Sequence, residues 1–422
     1  MFALQFSSVT SGDRSLYTRK PELEKITTSF VYGWKDQYGS PAGLFDAAGG
    51  DEYGNVIYVI LCSQVLNTGT VPDFFKVAMN YRLGAFGWLG GQQFTDDGGT
   101  PNLGLYDQRL AMEWVQEYIE EFGGTPERIT VMEQSAGASS ILHHVTAGGR
   151  DKFFLEPTFQ KAIIQSVRFF PQPDPAYDDK IYYQYLNLTG AEDLDELVTL
   201  DSSILQSANA KMTFDSSYDT FNFGPTVDGD FVPDLPGKIL GRGENHEGIS
   251  LMVGQMAYDG LLFTPPWIRT NAQLKQHSAK LYPGIPKSVK SKITEMYPIN
   301  PWIELAQKKI TVVSDFLDDI AIQCNSYYLT EAALKSDYPA AVFRYSFNTL
   351  PAIHGYETGY TYYPSPSPMD AEGEDVWNMY ESGTRKVMNL GKPGQAKQDF
   401  SYATGDDLMD RDKCAYWQSA PY

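Results

Sequence analysis

Short apolar runs alternate with amphipathic stretches along this chain, and that alternation restricts the fold more than any other property. Residues 128–132 (RITVM), 161–166 (KAIIQS), 249–254 (ISLMVG) and 340–347 (AAVFRYSF) have the length and composition of buried strands. Residues 77–91 (VAMNYRLGAFGWLGG) read as a strand and then a loop. Residues 103–124 (LGLYDQRLAMEWVQEYIEEFGG) carry Leu110, Trp114, Val115 and Tyr118 at three- and four-residue steps, the period of a helix. Gly123 and Gly124 stop it. Strands interleaved with helices need crossover connections, so the expected class is α/β, with a central, mostly parallel sheet flanked by helices. At 422 residues, 42% of them hydrophobic, the chain can bury one large core, and we expect a single domain over 1–422.

Charge narrows the partners. Thirty-three basic residues against 53 acidic give a net charge of −20. Such a surface repels phosphate backbones and anionic lipid, so no nucleic-acid partner is expected. No apolar run has the length of a bilayer span, so no stable membrane insertion is expected either. The first 20 residues lack a basic segment followed by a long apolar one, and no signal peptide is visible. Three cysteines, Cys62, Cys324 and Cys414, leave at least one unpaired within the chain. Asn187-Leu188-Thr189 is a glycosylation sequon, usable if the protein is secreted. Metal-ligand spacings, phosphate-binding loops and dinucleotide fingerprints are missing, so we expect no metal. Oligomeric state is not legible. One apolar run is interrupted: 54–59 (GNVIYV) would join 77–81 (VAMNY) as one strand without residues 60–76. That segment reads either as an insertion into a core strand or as a surface loop.

The chemistry centres on residues 127–144, ERITVMEQSAGASSILHH. An apolar strand leads into a turn of small residues and then a helix, with Ser135 in the turn. Such a turn exposes a serine hydroxyl beside a helix N-terminus, whose free N–H groups and dipole favour developing negative charge. A serine capping a helix gives the same pattern, so the motif alone leaves both readings open.

Several blocks together resemble the type B carboxylesterase/lipase family, the cholinesterase-like α/β-hydrolases. They are NYRLGAFGWLG, GLYDQRLAMEWV, FGG followed by EQSAGASS, QSV at 165–167 and FGPTVDGDFVPDLP at 223–236, in the family's order. The resemblance runs from about Phe30 to the end. It implies an α/β-hydrolase fold, a small-molecule or lipid ester as substrate, and no cofactor. It assigns the nucleophile to Ser135. The family's acid follows a strand, and Asp259 in ISLMVGQMAYDG takes that place, with aspartate for the usual glutamate. Glu247 competes but precedes the strand, whereas open parallel sheets build their sites at strand carboxyl ends. The family's H-G-x-E/D segment matches His354 in LPAIHGYETGY. The order Ser135, Asp259, His354 is that of α/β-hydrolases. His143 and His144, on the helix after Ser135, read as structural, and His246 and His277, in polar stretches, read as exposed.

Departures from the family bear on activity. Glu133 and Gln134 stand where the family has Gly-Glu before the serine, and we expect the Glu133 side chain to swing outward or to distort the turn. The family's H-G-G-G oxyanion loop is not matched: KITTS (25–29) precedes the segment 30–50 that resembles the loop's tail. Residues 1–29 are atypical, and the family's earlier N-terminal portion is missing. The backbone N–H of Ala136 is the one oxyanion donor we can name. Loss of one such donor costs about 10²–10³ in turnover, so a weak esterase is expected. The resemblance also pairs Cys324 with Cys414 in a disulfide, which implies an oxidising compartment and a secreted, extracellular protein. Tyr32, Trp34, Phe263 and Trp267 are candidate pocket residues by their closeness to the motifs. The rival reading is a cholinesterase-like binding module without catalysis; an enzyme whose sequence is incomplete would reconcile the two.

Overall fold

The computed structural model of the chain describes residues 2–6, 26–29, 57–61, 75–148, 157–169, 175–218, 220–283, 285–300, 302, 306–338, 340–358, 379–391, 400–404 and 410–420. Tyr32, Trp34, Cys62 and the segment 30–50 lie outside them. Two compact units are distinguished. The first comprises Met1–Met132, Asp151–Lys161 and Asp174–Asp234, the second Glu133–Arg150, Ala162–Pro173 and Leu235–Tyr422.

In the first unit, β1 (Phe2–Phe6), β2 (Ile26–Ser29), β3 (Ile57–Leu61) and β4 (Phe75–Met79) form a sheet in the order β2-β1-β4-β3. The interrupted apolar run is thus two strands, paired antiparallel with Ile57 opposite Met79 and Leu61 opposite Phe75. Their connection, 62–74, lies outside the described residues, as does most of 1–29. The periodic stretch forms helix α1 (Leu103–Tyr118), which buries Leu110, Trp114 and Val115. A 3₁₀ turn (Ile119–Phe122) follows, and Gly123 at φ 85° ends it, its N–H donating to the Glu120 carbonyl. Asn102 opens α1 and is buried. Its amide donates to the Thr226 carbonyl (2.8 Å) and accepts from the Thr226 N–H (2.9 Å), which satisfies polar groups that burial would otherwise penalise. The sequon lies at the end of helix Pro175–Thr189, with Asn187 exposed and the Thr189 hydroxyl buried, donating to the Tyr185 carbonyl (3.1 Å).

The second sheet has the order β10-β9-β8-β7-β6-β5. Its strands are β5 (Thr130–Gln134), β6 (Lys161–Gln165), β7 (Ser250–Met256), β8 (Val342–Phe347), β9 (Lys386–Leu390) and β10 (Phe400–Thr404). β7, β8 and β9 pair in parallel, and β10 adds antiparallel to β9. Met256, Tyr345, Phe347, Met388 and Leu390 pack into one buried cluster on this sheet. Helix α2 (Ala136–Val145) follows β5. Helix α3 (Ala306–Asp318) passes through a π-helical turn (Asp319–Gln323) into α4 (Cys324–Leu334). Helix α5 (Arg411–Ser419) is fixed to α4 by the Cys324–Cys414 disulfide, and the Tyr328 hydroxyl donates to the Cys414 carbonyl beside it (2.5 Å).

Two expectations about histidines are corrected. His246 and His277 are buried, at 4% and 8% exposure. His277 lies three residues after Leu274 and four before Leu281 on helix Asn271–Leu281, so helical periodicity turns it inward with them despite its polar neighbours. His246 is drawn in by its backbone, whose N–H donates to the Val145 carbonyl (2.9 Å).

Candidate active site

β5 ends at Gln134, and the chain reverses sharply at Ser135 into α2. Ser135 has φ 58° and ψ −119°, a conformation a non-glycine residue adopts only at a cost of order 1–3 kcal/mol, when its surroundings hold it there. The holding bonds are visible. Its N–H donates to the Gln165 carbonyl at the end of β6 (2.9 Å), and its carbonyl accepts the first helical bond from Ser139 (2.9 Å). The turn leaves Ala136 exposed at the helix start, where a backbone N–H has no partner within the helix.

Glu133 behaves differently from expectation. It neither points outward nor breaks the turn; it is buried at 6% exposure. The reason is Gly137, one helical turn on. A Cβ there would come within 2.7 Å of the Glu133 Cδ, so the missing side chain provides the space into which Glu133 folds. A small residue four positions later therefore accommodates a large one where the strand meets the helix.

The acid sits beyond the carboxyl end of β7, in a 3₁₀ turn (Asp259–Leu261). Gly260 is required there by close approach, because a Cβ would lie 2.2 Å from the Ser314 carbonyl oxygen of α3. Asp259 is fully buried and is satisfied by three donors. The Met256 N–H (2.8 Å) and the Ser166 hydroxyl (3.0 Å) both donate to Oδ2, and the His354 ring donates from Nδ1 to Oδ1 (2.7 Å). His354 lies on the loop after β8, which is tied back to the acid's strand by the Tyr258 N–H donating to the Ala352 carbonyl (2.9 Å). Its Nε2 is 2.6 Å from the Ser135 Oγ. A carboxylate only accepts, so Nδ1 carries the proton and Nε2 presents its lone pair to the serine hydroxyl. Ser135, His354 and Asp259, distant in sequence, thus form one continuous hydrogen-bonded chain. Phe263 packs edge-on against the imidazole (ring centroids 4.8 Å), with the Arg168 guanidinium 4.0 Å from the Phe263 centroid. Trp267 is 56% exposed.

Two further acids surround Asp259. Glu357 is buried three residues after His354, and its Oε1 lies 3.5 Å from the Ser166 hydroxyl. Burial first, and the charge of Asp259 second, push its carboxyl up to about 8. Asp318, at the end of α3, is pushed well above the usual carboxylate range by the same two causes in the same order. Glu247 precedes β7 and takes no part in the Asp259–His354 pair. His143 is structural: its Nδ1 donates to the Ser139 carbonyl (2.7 Å), and burial lowers its pKa to about 4. His144 is buried on the same helix.

Three participants had no role in the sequence reading. Ser166 lies in one of the matched blocks, Glu357 is the last residue of the histidine's motif, and Gln134 stands where the family has glutamate, immediately before Ser135. The Gln134 Nε2 lies 3.1 Å from the His354 Nε2. Sequence gives no signal for that contact, since 220 positions separate the two residues.

Comparisons with known proteins agree on kind. The family model described as "Carboxylesterase family" matches residues 70–377. The chain is 32% identical over 364 residues to carboxylesterase patB of Aspergillus clavatus, covering 82% of this chain and 64% of that protein. It is 29% identical over 415 residues to carboxylesterase patB of Penicillium expansum, covering 93% of this chain and 69% of that protein. The chain thus spans about two thirds of these relatives' length. Among solved structures, Aspergillus niger EstA superposes with a TM-score of 0.65 at 22% identity, over 82% of this chain and 74% of that one, a likeness of fold.

Proposed function

This chain belongs to the carboxylesterase family, built on the α/β-hydrolase fold, and from that premise we propose that it hydrolyses carboxylic esters through an acyl-enzyme formed on Ser135. The observation that carries the reading is the unbroken Ser135–His354–Asp259 chain, at 2.6 and 2.7 Å. As the Ser135 oxygen attacks the ester carbonyl, the His354 Nε2 takes its proton. Asp259 holds the Nδ1–H tautomer and stabilises the imidazolium that forms. The imidazolium returns the proton to the leaving alcohol, and water repeats the cycle on the acyl-serine with His354 as base. The backbone N–H of Ala136, at the helix start, supplies one donor to the oxyanion. The H-G-G-G loop is not matched in the sequence, so turnover is expected to be low. Substrates are small-molecule or lipid esters.

The disulfide supports an oxidising, extracellular location, with Asn187 as the glycan acceptor, and no helix among the described residues is long and apolar enough to cross a membrane. The binding-module alternative predicts no chemistry at Ser135. Hydrolysis of a short p-nitrophenyl ester, together with fluorophosphonate labelling, decides between the two. We expect slow hydrolysis and slow labelling, both abolished in Ser135→Ala. Turnover unchanged in that variant would refute the nucleophile assignment.

A further inference from the structure

We propose that Gln134 is a positioning residue for the base: its side-chain amide shares the His354 Nε2 lone pair with the Ser135 hydroxyl, and so governs how readily the imidazole takes the serine proton. This rests on reading Ser135 and His354 as nucleophile and base. The geometry is specific. Nε2 of a neutral imidazole has one in-plane lone pair, yet two donors address it, the Ser135 Oγ at 2.6 Å and the Gln134 Nε2 at 3.1 Å. The amide is placed there by its neighbours. Gln134 ends β5 immediately before the strained serine, and its amide lies against Gly355, 3.7 Å from where a Cβ on that residue would sit.

The consequence follows from the proton's path. In the resting site both donors stabilise the bare Nε2. During attack the Oγ–H bond breaks and an Nε2–H bond forms. The amide N–H then faces another N–H, and the bond it made is lost. The Gln134 amide must rotate about its broad terminal torsion, so that Oε1 accepts from the imidazolium, or withdraw. A glutamate at this position could only accept, and would favour the imidazolium throughout. A methionine, of similar length, would do neither.

Other charged groups near the imidazole are the same in all three forms. They are Asp259 and Asp318 from the acid's turn and α3, Glu357 from the histidine's own loop, and Arg168 behind Phe263. A difference between forms therefore reports on position 134 alone. The test compares the full chain with Gln134→Glu and Gln134→Met. The acid limb of kcat/KM for a p-nitrophenyl ester is measured against pH, and the imidazole is titrated by NMR with carbon-13-labelled histidine. The His354 signal is identified by its loss in His354→Gln, which is feasible because the chain has only five histidines. We expect the midpoint to rise by about one pH unit in Gln134→Glu, the scale of a carboxylate beside an imidazole, and by less in Gln134→Met. Identical midpoints in the three proteins would overturn the inference. If the ordered midpoints appear by NMR while the unaltered chain hydrolyses nothing, the hydrolase reading fails, and what stands is the Gln134 bond to the His354 Nε2 without its catalytic consequence.

Discussion

Asp259 receives three hydrogen bonds and exposes no surface, whereas Ser135, at the other end of the same chain of bonds, shares one acceptor with a second donor and opens onto an exposed helix start. The acid end is over-determined. Backbone, hydroxyl and imidazole all donate to one carboxylate, and the two carboxyls nearest it, Glu357 and Asp318, are held towards their neutral forms by burial and by its charge. The serine end is adjustable. Strain fixes the Ser135 backbone, but the occupancy of the His354 lone pair depends on a side chain that can present either a donor or an acceptor. The His354 ring is thus held on the buried side by Asp259, while on the open side its Nε2 is addressed by both Ser135 and Gln134.

Breaking the acid end should have the largest effect. Asp259→Asn removes the charge and presents an amide that can donate to Nδ1, favouring the wrong tautomer, so kcat for a p-nitrophenyl ester should fall about 10⁴-fold. Ser166→Ala tests the over-determination directly. It removes one of three donors and leaves the Met256 N–H and His354 in place, so we expect roughly a tenfold fall in kcat with KM unchanged. A loss as large as that of Asp259→Asn would show that the Ser166 bond is indispensable.

Glu357→Gln should have the smallest effect, visible in stability. The ordinary pKa of this carboxyl is 4.5, and in the fold it is pushed up to about 8. Below 4.5 it is protonated whether folded or unfolded. As pH rises, the unfolded chain ionises first, and the folded state loses the corresponding stability until about 8, above which nothing more changes. The variant lacks this liability, so its melting temperature relative to the native chain should climb across that window and then level off, by about 5 °C. A constant difference from pH 5 to pH 8 would mean that Glu357 ionises freely.

Much of this was legible in the sequence, for identifiable reasons. The strands at 130–134, 161–165, 250–256 and 342–347 are apolar runs of the right length, and α1 shows an unambiguous helical period. β9 and β10 are not legible in the sequence, because KVMNL and FSYAT are five-residue segments whose pairing with each other, Leu390 opposite Phe400, is what identifies them as strands. Motif order led to Ser135, Asp259 and His354, since each lies in a block with local character. What surrounds them was hidden. The role of Ser166 depends on β6 lying beside β7, and that of Gln134 on a loop more than two hundred residues away. Glu133 turns inward, against expectation, because the space it fills belongs to Gly137, four residues further on.

The Cys324–Cys414 bridge encloses the histidine's loop but neither Ser135 nor Asp259. A protease making one cut between residues 325 and 353 would separate the base from the nucleophile along the backbone, yet the two fragments would remain one molecule. Such a nicked protein should run as a single species on a non-reducing gel and as two after reduction, so integrity judged without reductant would overlook the break.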